Sequence, residues 1–196
     1  MTSPDRPQKF TDKLALWIRN NFTLLVGLIV GVILTIVMVL ASGFMIETTN
    51  KDTFCVSCHI MTPFRTSWQE AVHGGKNPQG FAAQCIDCHL PHGDFFEFFT
   101  VKAITGTSDL IHNLYIDAEN YDWAGAADRN RLKFTFDNAC RHCHHVLTPP
   151  GISSGGFIAH RAYLRGDTNK RCAECHPRVG HKNMIEAANK YFKKGT

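Results

Sequence analysis

The run Cys55-Val-Ser-Cys58-His59 carries the pattern that decides the fold, because the same pattern recurs three more times along the chain. Every cysteine of the sequence falls in a C-x-x-C pair, and a histidine directly follows each pair. The further runs are Cys85-Ile-Asp-Cys88-His89, Cys140-Arg-His-Cys143-His144 and Cys172-Ala-Glu-Cys175-His176. Four such placements in a chain of 196 residues indicate a common chemical cause.

Three chemistries use paired cysteines, and they differ in what they require of the histidine. A disulfide framework explains the pairs but gives the histidine no part. A zinc site needs its histidines several residues from the cysteines, so that four ligands close a tetrahedron. In a c-type heme, the two thiols form thioethers to the vinyl groups and the adjacent imidazole reaches the iron. The pattern therefore predicts four covalently attached hemes c, bound through the eight cysteines.

The uneven distribution of apolar residues agrees with such cofactors. Apolar residues make up 44% of the chain, but 19 of the 27 residues from Asn20 to Ile46 are apolar, so the remainder is poor in them. We expect four flat apolar hemes to replace an ordinary core, and the apo-chain to be largely unfolded. The predicted fold class is mainly α with much loop, with a small multiheme domain organised around the hemes.

Residues 20–46 contain no charged side chain and form the predicted transmembrane anchor helix. In a helix they are long enough to cross a hydrocarbon layer of about 30 Å. The segment exceeds the apolar region of a signal peptide, about 7 to 15 residues, so we expect it to be retained although Ala41-Ser42-Gly43 imitates a cleavage site. Gly27 and Gly31 form a G-x-x-x-G pair, which favours a homo-oligomer or simply reflects the glycine content of membrane helices.

Charges flanking the anchor predict its orientation. Only Lys51 follows the anchor closely, whereas four basic residues precede it: Arg6, Lys9, Lys13 and Arg19. The positive-inside rule then makes residues 1–19 a cytoplasmic segment and residues 47–196 a periplasmic tetraheme domain at the bacterial inner membrane. The formal net charge of +4, without a dense Lys/Arg run, does not indicate a nucleic-acid binder, and no nucleic-acid partner is expected.

One N-terminal anchor followed by four C-x-x-C-H runs closely resembles the NapC/NirT family of membrane-anchored tetraheme cytochromes c, over nearly the whole chain. The first run continues into Ile60-Met61 and resembles the C-x-x-C-H-x-M pattern of the NrfH branch. The second run, Cys88-His89-Leu90-Pro91-His92, is also typical of the family. The resemblance implies oxidation of a membrane quinol, menaquinol or ubiquinol, and electron transfer to a periplasmic oxidoreductase, with a cytochrome c nitrite reductase as the first expectation.

The resemblance also implies which side chains close the irons from the distal side. It assigns His73 to the third heme, His181 to the second and His160 to the fourth. The opposite faces of these hemes would be taken by motif histidines, namely His144, His89 and His176. In some NrfH-like members the partner enzyme supplies the fourth distal ligand, so an internal ligand favours a broader NapC-like role.

The first heme is expected to differ from the other three. His59 and Met61 are two residues apart, and the chain spans at most about 7 Å between them. They therefore cannot easily reach opposite faces of one heme, so one of them ligates from that side, and the resemblance favours Met61. The opposite face then lacks a strong protein ligand. The flanking His142 and His145 are not favoured as ligands, and His92 and His112 are left without a role.

The stretch from Gly93 to Tyr115 is the predicted quinol site, because quinol oxidation needs a heme edge, an apolar slot and a proton acceptor. It is predicted to form a mostly helical segment on the membrane surface, with its phenylalanines at the lipid boundary. Lys102 and Asp109 are seven residues apart and so face the same way on a helix. The resemblance implies that Lys102 binds the quinol oxygen and Asp109 takes the proton or covers the open iron, beside the first heme. The plain alternative is a solvated charged pair.

Other functions remain open at this point. Electron flow in the opposite direction would pass electrons from a periplasmic dehydrogenase through the same hemes to quinone. The sequence does not determine the direction of electron flow. A tethered electron carrier without quinone chemistry is a further alternative, and a terminal reductase acting at an open first heme ranks lowest. The candidate terminal electron acceptors include, besides nitrite, nitrate, other small oxyanions and N- or S-oxides.

Overall fold

A computed structural model describes residues 8–193 of the chain, and side chains from residue 10 onward. Of the basic residues used to predict orientation, Arg6 lies outside the described residues, as does the side chain of Lys9. The described chain is built from helices and loops, and its one isolated antiparallel bridge joins Gly74 and Ala82. This confirms the predicted fold class, mainly α with an N-terminal apolar helix.

The chain divides into two compact units, with the boundary between residues 49 and 50. The first unit contains α1, Gln8–Asn20, and most of α2, Phe22–Asn50. Among the described residues, α2 is the one helix long and apolar enough to cross a membrane, and it extends four residues beyond the predicted end of the anchor. The predicted end of the transmembrane segment, between residues 46 and 47, is a statement about the membrane boundary and stays a prediction.

Polar side chains within α2 bond to its own backbone. The hydroxyl of Thr35 donates to the carbonyl oxygen of Gly31 at 2.9 Å, and that of Ser42 donates to Met38 at 2.8 Å. Such internal bonding is what a helix needs where water is excluded. A methyl group added at Gly27 or Gly31 would meet nothing within 4 Å in this chain, so the proposed oligomer face stays a prediction.

The second unit consists mostly of short helices. They are α3, Asp52–Cys55; a 3-10 helix, His59–Met61; α4, Thr62–Gln69; α5, Ile86–His89; α6, Phe95–Tyr115; α7, Trp123–Asn130; α8, Asp137–Cys143; α9, Ser154–Arg165; α10, Cys172–Cys175; and α11, Met184–Phe192. The longest of these, α6, begins after Asp94, whose carboxylate accepts a hydrogen bond from the backbone N–H of Glu97 at 2.8 Å. This N-cap explains why the helix starts directly after the turn at Gly93.

The buried apolar side chains of the second unit are mostly small. Five of them are alanines, and the larger ones are Pro63, Leu90, Pro91 and Phe192. Phe192 stacks on Trp123 with ring centroids 5.1 Å apart, and Phe64 meets the same indole edge-on at 5.3 Å, so α4, α7 and α11 pack together. Most of the unit therefore lacks the bulky core that usually supports a domain of this length.

A reciprocal pair of hydrogen bonds ties α4 to the loop before α11. The hydroxyl of Ser67, only 2% exposed, donates to the carbonyl oxygen of Lys182 at 2.6 Å. The backbone N–H of Lys182 donates in turn to the carbonyl oxygen of Ser67 at 3.1 Å. Because His181 directly precedes Lys182, this link fixes the backbone from which that imidazole projects.

We predict that Ser67→Ala lowers the free energy of unfolding by about 0.5–1.5 kcal/mol, because the hydrogen bond that links α4 to the loop before α11 is lost. Denaturant unfolding of the detergent-solubilised protein, followed by circular dichroism, measures this. Thr66→Ala is the matched control, since the exposed Thr66 hydroxyl bonds only within its own helix. Equal stability of the two variants would contradict the prediction.

Candidate heme-binding and quinol site

The C-x-x-C-H runs are shaped by single helical turns. In three of them the backbone N–H of the histidine donates to the carbonyl oxygen of the first cysteine, at 3.1 Å for His89, 3.0 Å for His144 and 2.9 Å for His176. A residue and the one four positions later lie on the same side of a helical turn. The turn thus presents the first thiol and the imidazole toward one region.

Successive motifs lie side by side in the order of the sequence. The thiols of Cys55 and Cys85 lie close enough to influence each other's ionisation, and so do those of Cys140 and Cys172. Cys88 is close enough to Cys140 for their charges to interact, and α5 packs against α8. These contacts join motif one to two, two to three and three to four, in a continuous row.

Four of the motif thiols resist ionisation because their pKa is raised: Cys85, Cys88, Cys140 and Cys172. Burial raises the pKa of Cys88 to about 11 and that of Cys172 to about 11, with neighbouring acidic groups adding to the rise. Within residues 8–193, no three or more His, Cys, Asp and Glu side chains are grouped to hold a metal ion. The donor set fits thioether attachment with paired imidazoles, as the C-x-x-C-H pattern predicts.

Three pairs of imidazoles face each other across similar distances. The ring centroids are 6.0 Å apart for His73 and His144, 6.1 Å for His89 and His181, and 6.0 Å for His160 and His176. Two imidazole nitrogens each about 2 Å from a shared metal, with about 1 Å more to each ring centre, place the centroids about 6 Å apart. The pairs join the same histidines that the resemblance assigns to the third, second and fourth hemes, and their spacing fits one iron between each two.

Backbone carbonyls orient four of these rings. The distances from Nδ1 to the carbonyl oxygen are 3.1 Å for His73 to Val179, 2.8 Å for His89 to Phe134, 2.6 Å for His160 to Leu147 and 3.2 Å for His181 to Phe64. A carbonyl oxygen only accepts, so Nδ1 must carry the proton in each ring. Nε2 then keeps its lone pair for a metal, the arrangement usual for metal-binding histidines.

Two of these rings are also held neutral by their surroundings. Burial, with a smaller contribution from nearby His89, lowers the pKa of His181 to about 4. His89 is exposed at its surface, but the density of protein atoms around it lowers its pKa as well. Both imidazoles are therefore unprotonated near pH 7, which is the form that binds a metal.

The first motif has a different backbone path. His59 starts the 3-10 helix that ends at Met61, and the N–H of Met61 donates to the carbonyl oxygen of Cys58 at 3.0 Å. With three residues per turn, side chains two positions apart point about 120° away from each other. His59 is exposed and Met61 is half-buried. This geometry supports the proposal that Met61, rather than His59, ligates the first heme.

Helix α6 carries the two charged residues of the predicted quinol site. Lys102 donates a hydrogen bond to Asn50 at 2.7 Å, and its charge interacts with Cys55 of the first motif. Partial burial lowers the pKa of Lys102. Partial burial raises the pKa of Asp109, and the nearby His112 and His89 oppose that rise. Lys102 is therefore on the side of the first motif, and Asp109 is on the side of the second.

The other face of α6 is apolar and open. The exposed large apolar side chains on this face are Phe95, Phe96, Phe99, Ile104, Leu110, Ile111 and Leu114. At 100° per residue they occupy one half of the helix surface, and Lys102 and Asp109 lie outside that half. The segment predicted to be mostly helical is thus a helix with an apolar side and a charged side.

One further histidine contact was not expected from the sequence. His92 stacks on His142 with ring centroids 4.6 Å apart and planes 25° apart, and Nε2 of His92 is buried without a hydrogen-bond partner in the described polypeptide. The carbonyl oxygen of His92 accepts a hydrogen bond from Asn138 at 2.7 Å, which anchors it beside the third motif. A buried polar atom left unpaired by the protein fits a site completed by a polar group such as a heme propionate. The spacing of the motifs along the chain carries no signal for this stacking.

These features define a membrane-anchored c-type cytochrome with several hemes. Residues 18–186 match the NapC/NirT cytochrome c family, N-terminal region. The chain belongs to the NapC/NirT cytochrome c family, as the sequence resemblance indicated. The protein is thus a membrane-anchored, heme c-containing component of electron transport, of the kind that serves anaerobic respiration.

Individual relatives agree with this assignment. The tetraheme c-type cytochrome CymA of Shewanella oneidensis is 30% identical over 174 residues, which cover 82% of this chain and 91% of that protein. The cytochrome c-type protein NrfH of Wolinella succinogenes is 25% identical over 148 residues, covering 76% and 78% of the two chains. A chain in the crystal structure of the cytochrome c nitrite reductase NrfHA complex bound to the HQNO inhibitor has the same fold, with a TM-score of 0.53, 24% identity and coverage of 81% of this chain and 93% of that chain.

We predict that His73→Ala, His160→Ala and His181→Ala each convert one heme iron from the low-spin to the high-spin state, because each removes one imidazole of a facing pair. Electron paramagnetic resonance and the absorption spectrum of the purified protein measure the change. His145→Ala is the control, since this exposed residue is not predicted as a ligand. An unchanged spin state in any of the three variants would remove that histidine from the ligand set.

Proposed function

We propose that this chain is a quinol dehydrogenase subunit that binds four hemes, oxidises membrane quinol and passes the electrons to a periplasmic oxidoreductase. The observation that carries the proposal is the row of four motifs, which starts beside Lys102 and continues through three facing imidazole pairs. Such a row gives electrons a short route from one end to the other. The family assignment supports the same role.

The proposed topology follows from the anchor and its flanking charges. Residues 1–19 lie in the cytoplasm, residues 20–46 cross the inner membrane and residues 47–196 lie in the periplasm. Lys13 and Arg19 precede α2, and Lys51 follows it beside Asp52. This asymmetry supports the positive-inside orientation.

The entry end of the row is the first motif. We assign Met61 as the protein ligand on one side of the first heme and leave the other side open. A bound heme supplies a reversible one-electron acceptor, and a thioether ligand raises its potential. The apolar side of α6 supports a position against the lipid boundary, from which the quinol ring approaches.

Lys102 and Asp109 have different roles in quinol oxidation: Lys102 binds a quinol oxygen and Asp109 accepts a proton. The ammonium of Lys102 donates a hydrogen bond to one quinol oxygen and stabilises the negative charge that forms there as a proton leaves. The carboxylate of Asp109 accepts a proton, and its partial burial raises its affinity for one by raising its pKa. Overall, one quinol gives one quinone, two electrons and two protons.

The exit end of the row is the fourth motif, where His160 faces His176. Because the chain itself supplies this second imidazole, the fourth heme needs no ligand from a partner. This supports a NapC-like role with a choice of acceptors that includes nitrite, nitrate, other small oxyanions and N- or S-oxides. The similarity in fold to a chain of the NrfHA complex keeps a cytochrome c nitrite reductase as the first partner to test.

We predict that Lys102→Met and Asp109→Asn each slow heme reduction by quinol about tenfold or more, since positioned acid–base groups contribute at least that much. Stopped-flow absorbance of the detergent-solubilised protein mixed with a reduced quinol analogue measures the rate. Reduction by dithionite, which needs no quinol site, should remain at the wild-type rate.

The control is Glu97→Gln, which alters a charge in the first turn of the same helix. Wild-type quinol rates in both Lys102→Met and Asp109→Asn would refute the assigned site. If wild-type heme reduction is also insensitive to quinol analogues, the chain is a tethered electron carrier instead. Faster reduction of quinone by the prereduced hemes than oxidation of quinol would favour the reverse direction.

A further inference from the structure

The hydrogen bond from Lys102 to Asn50 joins two residues that are 52 positions apart in the sequence. Nζ of Lys102 lies 2.7 Å from Oδ1 of Asn50, and both side chains are half-buried. A lysine ammonium only donates, so the amide oxygen and not the amide nitrogen must face it. Bonds of this kind, with one charged partner, are stronger than neutral ones.

Asn50 occupies a particular place in the chain. It is the last residue of α2, four positions and about one helical turn beyond Ile46, where the predicted membrane span ends. It is also the first residue of the unit that carries the heme motifs. The side chain that accepts from Lys102 therefore belongs to the segment at which the chain leaves the predicted membrane span.

The chemistry of an amide suits the role proposed for Lys102. A lysine side chain is long and flexible, so its ammonium occupies no fixed position unless another group holds it. A carboxylate in place of the amide would fix the ammonium but would also neutralise it. The amide oxygen accepts from one of the three donors and carries no net charge, so this bond fixes the ammonium without cancelling its positive charge.

We propose that Asn50 is a positioning residue of the quinol site, which holds the ammonium of Lys102 in place through its amide oxygen. The inference rests on the proposed function, because it assumes that Lys102 binds the quinol. Asn50 itself acts through Lys102. A quinol ring entering from the apolar side of α6 then meets an ammonium that is already oriented.

The test is a double-mutant cycle on the full-length protein with its hemes. Asn50→Leu keeps a similar volume but removes the acceptor, and Asn50→Ala is a second variant with a smaller side chain. Lys102→Met and the double variants with it complete the cycle. Steady-state oxidation of a reduced quinol analogue gives kcat and KM, and dithionite reduction with the absorption spectrum checks that the hemes are intact.

We expect each Asn50 variant to lower kcat/KM for the quinol about tenfold, the usual effect of losing a hydrogen bond to a charged group. In the Lys102→Met background the same substitutions should have no further effect, because the group they position is gone. Thr48→Val is the matched control, since Thr48 lies in the last turns of the same helix and its hydroxyl bonds to Phe44 at 2.8 Å.

Two kinds of result would overturn the inference, and they are distinguishable. If Lys102→Met slows quinol oxidation while both Asn50 variants match the wild type, the quinol site stands and Asn50 has no part in it. If the losses simply multiply in the double variants, Asn50 does not act through Lys102 and the inference is equally wrong. If Lys102→Met itself has no effect, the proposed quinol site fails and the role of Asn50 fails with it.

Discussion

The second unit depends on the requirement that two imidazoles face each other with their centres about 6 Å apart. Each of the three pairs joins one motif histidine to a histidine elsewhere in the chain, so each pair forces a loop to fold back. His181 reaches His89 from the far end of the sequence in this way. With few bulky residues buried, these pairings and the cofactors they fit supply the long-range order that an apolar core supplies in other domains.

Side-chain contacts outside the pairs support that order. The reciprocal bonds between Ser67 and Lys182 fix the backbone next to His181, and the stacking of Trp123 on Phe192 joins the helices around it. The contacts between neighbouring cysteines set the motifs in a row. This arrangement is suited to moving electrons from motif to motif, because motifs that follow one another in the sequence are also neighbours in space.

Much of the site could be predicted from local spacing and from family resemblance. The C-x-x-C-H runs, the apolar span and the helical course of α6 are encoded by residues close together in sequence. The order of the motifs in space, the bond between Lys102 and Asn50 and the stacking of His92 on His142 could not be predicted. Each of these joins segments far apart in the sequence or depends on a ring orientation, and spacing along the chain carries no information about either.

Four imidazoles of the facing pairs are oriented by backbone carbonyls and not by side-chain carboxylates. The acceptors belong to Val179, Phe134, Leu147 and Phe64. Every residue type offers the same carbonyl oxygen, so replacing any of these four side chains leaves the acceptor itself in place. Substitutions at these four positions are therefore compatible with the same imidazole tautomer as long as the backbone path is kept.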